Sequence, residues 1–179
     1  MSTAFLQRLR RLPGDDRAAT AVEFALLIGP LVFLILASLQ LSIIFFAGQV
    51  LQSAATKVGR EIMTGQIQTA GDTQTQFTAP GGPVCTAAPV IFTCGSIMVD
   101  VESASTYTSL NTGTLTPTYS GSNVTNTWAY APGGPGDIVI LRLMYNWPVV
   151  AGPLLPGLAN QSNGDRLLVA TTVFKNEPY

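Results

Sequence analysis

Among the residues able to do chemistry, Glu23 has the most unusual setting. It is the only charged side chain between Arg17 and Lys57, and it opens a run that stays uncharged from Phe24 to Leu51. A carboxylate in hydrocarbon is costly unless a positive charge neutralises it. Helix entry supplies one explanation, since acidic side chains are favoured near the positive end of a helix dipole. The other is a role in assembly, with an amine on the same or a neighbouring helix as its partner.

The remaining candidates for chemistry are few. Cys85 and Cys94 lie close together and read as a disulfide formed in an oxidising compartment. Two unpaired thiols on a loop are the alternative. A metal site is not expected, because two thiolates in a chain without histidine leave a zinc site half built. The absence of histidine also removes Ser-His-Asp and Cys-His nucleophile systems. Asp100 and Glu102 alternate with apolar residues, so they are read as the solvated face of a strand and not as a pair for glycoside chemistry. GGPGD at 133–137 reads as a turn before a strand, and no Walker-type phosphate loop is present. No catalytic residue and no cofactor is therefore expected. A net charge of -1 argues against a nucleic-acid partner, which would need a clustered basic surface.

These residues must be positioned by very different elements. Charged residues make up 11% of the chain against the ~25% usual for soluble domains, which points to a membrane segment. The uncharged run from Phe24 to Leu51 would reach roughly 42 Å as a helix, beyond the ~30 Å of a hydrocarbon core. It is about twice as long as the apolar region of a signal peptide, typically ~7 to 15 residues. Arg8, Arg10, Arg11 and Arg17 precede it, while only Lys57 and Arg60 follow closely, which predicts a cytoplasmic N-terminus and an outward C-terminal part. Pro30 removes one hydrogen bond and is expected to kink or loosen its turn. Ala47, Leu51, Ala54, Val58 and Ile62 continue one apolar stripe, and Gly65 ends it, so the helix is predicted over about 20–64.

Past Gly65 the composition turns to Thr, Gln, Gly and Pro, and TAGDTQTQFTAPGGPV reads as loop. SIMVDVES, DIVILRLMYNW and RLLVATTVF read as strands, the second with Val139, Leu141, Leu143, Tyr145 and Trp147 on one face. Residues 103–136 form a polar insert with scattered aromatics. It reads as an extended loop or weak edge hairpin, with a contact surface for adhesion as the alternative. Residues 149–158 form an apolar loop that folds back over the sheet or stays exposed, and Asn163-Gly164 reads as a turn. The resulting fold class is α+β, a long N-terminal transmembrane and stalk helix packed on a small antiparallel β-sheet.

The stretch RAATAVEFALLIGPLVFLILASLQLSIIFFAGQVLQSAATKVGREIMTGQ resembles the N-terminal segment of TadE-like minor pilins, or pseudopilins, of the bacterial tight-adherence (Flp) pilus system. DIVILRLMYNWPVV and FKNEPY resemble the C-terminal half of the same family. The resemblance implies a leader over 1–18, a transmembrane and stalk helix over 19–65, and a periplasmic or extracellular β-rich part over 66–179. It implies cleavage by a prepilin peptidase between Ala18 and Ala19, with Ala18 standing where the family pattern usually has glycine. Glu23 would then be the assembly residue, the fifth after the cut. The implied partners are prepilin peptidase, other pilin subunits, the assembly machinery of the inner membrane, and membrane lipid. The implied location is the bacterial inner membrane in a single pass, followed by the pilus after assembly. The competing reading is an unprocessed, membrane-anchored periplasmic scaffold.

Overall fold

The apolar run and the stripe that follows it form one continuous helix, α1 (Asp16–Met63), which passes through Pro30 without interruption. The structure, a computed structural model, describes residues 16–88, 90–121, 123–150 and 157–179, and for 16–19 and 123 their backbone alone. Residues 1–15 of the expected leader and most of the apolar 149–158 loop lie outside the described residues. The chain divides into two units, residues 1–41 and residues 42–179.

The described part of the first unit is helix alone. Its side chains face outward: Leu26, Leu27, Leu31 and Leu34 are all exposed, Leu27 to 74%. Helix α1 is long and apolar enough to cross a membrane, and its most apolar stretch is only 11% buried.

In the second unit the same helix becomes a packing element. Ala47, Leu51, Ala54, Val58 and Ile62 are all buried, as the stripe predicts. They share one cluster with Val139, Leu141, Leu143 and Tyr145. Helix α1 ends at Gly65, whose positive φ of 76° is the left-handed turn that glycine adopts without a Cβ penalty.

The stretch read as loop instead holds three short helices, α2 (Gln66–Ala70), α3 (Gln74–Thr78) and α4 (Pro83–Ala87). Each buries one apolar residue, Ile67, Phe77 and Val84 respectively, in the same core. Thr73 and Gln76 close a reciprocal capping box at the start of α3. A turn of 3-10 helix (Cys94–Ser96) then leads into β1 (Met98–Ala104).

The main sheet is antiparallel in the order β1, β4 (Ile138–Trp147), β5 (Arg166–Lys175). Val101 faces Leu141 across the first pairing, and Leu141 faces Thr172 across the second. The 103–136 insert contains a two-stranded ribbon, β2 (Tyr119–Ser120) with β3 (Asn123–Val124). The insert is more than a surface loop. Val101 donates to the Ala129 carbonyl at 2.9 Å and accepts from Ala131 N–H at 2.8 Å, so residues 129–131 cover the outer edge of β1. Leu110 is buried, as are Ile140, Arg142 and Met144 on the face of β4 opposite the helix. Both faces of the central strand are therefore covered, one by α1 and one by the insert. The GGPGD turn forms as expected, with Gly134 N–H donating to Asp137 Oδ2 at 2.8 Å.

Candidate functional site

In the first unit the predicted site residues follow one another along α1. The Ala18–Ala19 peptide lies within the helix. Glu23 is exposed between Val22 and Phe24, themselves exposed to 60% and 64%. Pro30 is also exposed, inside the helix. A carboxylate on such a surface can do one thing of chemical interest: it offers an acceptor and a negative charge to a group on another helix or at a helix end. Further along, Ser38 Oγ donates to the Leu34 carbonyl at 2.6 Å and to the Ile35 carbonyl at 3.1 Å, so this hydroxyl is satisfied within its own helix.

The cysteines belong to the second unit and form the predicted disulfide, with Cα atoms 5.4 Å apart. The bond closes the segment between α4 and the turn before β1. Phe92 anchors that segment, its ring centroid 5.0 Å from Tyr145 and 6.1 Å from Trp147 in edge-on contacts.

The expected solvated face of β1 is corrected by the structure. Asp100 is only 2% exposed and pairs with Arg142 Nη1 at 2.7 Å. Glu102 meets the same nitrogen at 3.3 Å, and Arg142 Nη2 donates to the Asn111 carbonyl. Asp100 Oδ1 also accepts from Ala129 N–H at 3.1 Å. The reason is register: Asp100 faces Arg142 across the β1–β4 ladder, and the insert then closes over both. This buried cluster ties the insert to the sheet. Its carboxylates are committed to a guanidinium and a backbone amide, which suits a structural joint and not acid–base catalysis.

Two tyrosines of the insert also bond the rest of the unit. Tyr130 donates to the Asp72 carbonyl at 3.0 Å, and burial, with the Asp72 charge second, pushes its hydroxyl up to about 12. Tyr119 donates to Asn146 Oδ1 at 2.9 Å, and burial raises its pKa against the lowering effect of that hydrogen bond. A cleft of about 360 Å³ bounded by Ile97, Met98, Tyr145, Asn146 and Asp165 contains one carboxylate. Among the described residues no group of three or more His, Cys, Asp or Glu could hold a metal ion.

The family model of TadE-like proteins matches residues 18–60, the segment that carries the exposed apolar helix, Glu23 and most of the buried stripe. Residues 18–60 are similar to TadE-like proteins. The similarity is confined to this segment and suggests a link to a pilus system. The TadE-like match stops at residue 60, short of the sheet. No curated protein and no solved structure matches the chain.

Sequence reasoning missed Arg142 as the centre of the second unit's polar joint. The signal was there in part, as one Arg and two acids on two alternating strands, but only the strand pairing sets Asp100 opposite Arg142.

Proposed function

We propose that the chain is a minor pilin or pseudopilin that takes part in assembling a tight-adherence pilus, by priming, by capping its tip, or by coupling it to the machinery. It is not an enzyme. The inner membrane holds it in a single pass, with the N-terminus cytoplasmic and the β-rich part outside. Prepilin peptidase cuts between Ala18 and Ala19. The freed amine, with a reference pKa of ~7.7 to 8.0, is mostly cationic at neutral pH and pairs with Glu23 on its own or a neighbouring helix. Pairing cancels two charges that are each costly among apolar helices and sets the axial register of the bundle. The reading is carried by one coincidence: the TadE-like match over residues 18–60 falls on an apolar helix, and Glu23, exposed on it, is the single carboxylate in that stretch.

Intact-mass analysis of protein from native membranes tests the cut, and the expected chain starts at Ala19. An intact N-terminus in cells with active peptidase would identify a fixed periplasmic scaffold instead. Glu23→Ala is expected to be processed and inserted but lost from pili and from pilus-assembly complexes. Normal incorporation of that variant would remove Glu23 from the mechanism.

A further inference from the structure

The second unit presents unpartnered apolar side chains at one end, and the chain path shows which end it is. Gln52 bonds Thr171, Gly59 lies against Thr172 and Phe174, and Glu177 N–H donates to the Met63 carbonyl at 2.9 Å. Helix α1 therefore runs alongside β5 in the same direction. Its entry into the unit, near Ser42, lies at the end where β4 finishes at Trp147 and β5 begins at Arg166. Phe92 packs on Tyr145 and Trp147, so the disulfide-closed segment also reaches this end.

Three pieces of chain meet there, and each ends in exposed hydrophobic residues. Helix α1 contributes Ile43, Phe45 and Phe46. The disulfide-closed segment contributes Val90, fully exposed at 102%, and Ile91. The strand connection contributes Val150 at 91%. None of the segments 40–56, 83–99 and 143–164 contains a charged residue. Two charged residues stand at this end, Asp165 and Arg166, the latter donating to the Leu158 carbonyl at 3.0 Å. Isolated exposed hydrophobics are ordinary, but three apolar tips gathered at one end are what an interaction surface looks like.

We propose that this end beds in the headgroup and upper acyl region of a lipid bilayer, with Val90, Ile91 and Val150 as inserted tips. The occupant follows from continuity. Helix α1 enters the unit at Ser42 on this end, and the helix is long and apolar enough to cross a membrane. Aromatic residues with a polar atom suit the interface, and Trp147, in contact with Phe92 of the disulfide-closed segment, ends β4 here. The disulfide and the Phe92 anchor hold the Val90 segment in one shape, which lowers the ordering cost of insertion. The inference rests on reading α1 as a membrane anchor and adds that the β-rich unit itself contacts lipid.

The test uses the full chain in phosphatidylcholine vesicles containing a tagged phospholipid, with a benzophenone amino acid placed in turn at Val90, Val150, Glu177 and Phe33. All four side chains are exposed, and non-reducing mobility of the disulfide monitors folding. Lipid adducts at 90, 150 and 33, with none at 177, are the expected result. Lipid at 33 but none at 90 or 150 overturns the collar and leaves the anchor. Adducts at 90 and 150 with a second copy of the chain overturn it in favour of a subunit interface. No lipid at any position overturns the anchor and the collar together.

Discussion

Arg142 shows how much a single residue can decide in this molecule. It is 4% exposed, and its charge is tolerated because Asp100, Glu102 and the Asn111 carbonyl surround it. Arg142→Met in the full chain in detergent is expected to lose about 3–5 kcal/mol, because Asp100 is left buried without its cation. Adding Asp100→Leu should recover part of that loss, since replacing both partners removes the unpaired charge. Urea unfolding followed by circular dichroism checks both, and a double variant no better than the single one would rule out the ion-pair account. Tyr130 gives a pH prediction. Its folded pKa is raised from 10.0 to about 12, so the folded state holds the proton longer than the unfolded one. That contribution is complete below pH 10 and is lost as pH rises from about 10 through about 12. Midpoints measured between pH 9 and 11 should fall more steeply for the native chain than for Tyr130→Phe.

At the scale of elements, the contact between α1 and β5 is both close and polar. Gln52 bonds Thr171 through both amide atoms, Nε2 to the carbonyl at 3.0 Å and Oε1 from the N–H at 3.2 Å. A side-chain amide thus occupies part of an edge strand that would otherwise be open to another strand. Gln52→Leu is expected to cost about 0.5–1.5 kcal/mol, because these exposed bonds are exchanged for bonds to water. It should also raise self-association, read by sedimentation in detergent. Seven residues on, Gly59 lets the helix approach β5, because a Cβ there would lie 2.8 Å from Thr172 Cγ2 and 3.0 Å from Phe174 Cε1. Gly59→Val should cost about 1–3 kcal/mol through overpacking, measured as a lower thermal midpoint of the full chain. A neutral result would mean that β5 yields more readily than a packed strand should.

Across the whole molecule, one helix has two different surroundings. Its first part is apolar and exposed, which suits lipid or other helices, and its last part is apolar on one stripe that the sheet buries. The disulfide belongs to this larger scale because it fixes the segment joining the short helices to β1. Closing so short a loop is worth about 3 kcal/mol by the chain-entropy relation. Cys85→Ser with Cys94→Ser should lower the thermal midpoint accordingly while leaving the helix signal of α1 intact.

The long helix, its stop at Gly65, the buried stripe, the odd-numbered face of β4 and the disulfide were all legible from residue order. Each rests on local periodicity, on a backbone preference or on spacing along the chain. Helices α2 to α4 were not, because five residues are too few to display a period of 3.6, although Thr73 and Gln76 carried the capping signature. The burial of Asp100 was decided by tertiary structure alone. Alternation assigns a residue to a face, but it cannot say that the insert will cover that face. The gathering of Phe46, Val90 and Val150 at one end was decided in the same way, by strand order and helix direction, which bring together segments far apart in the chain.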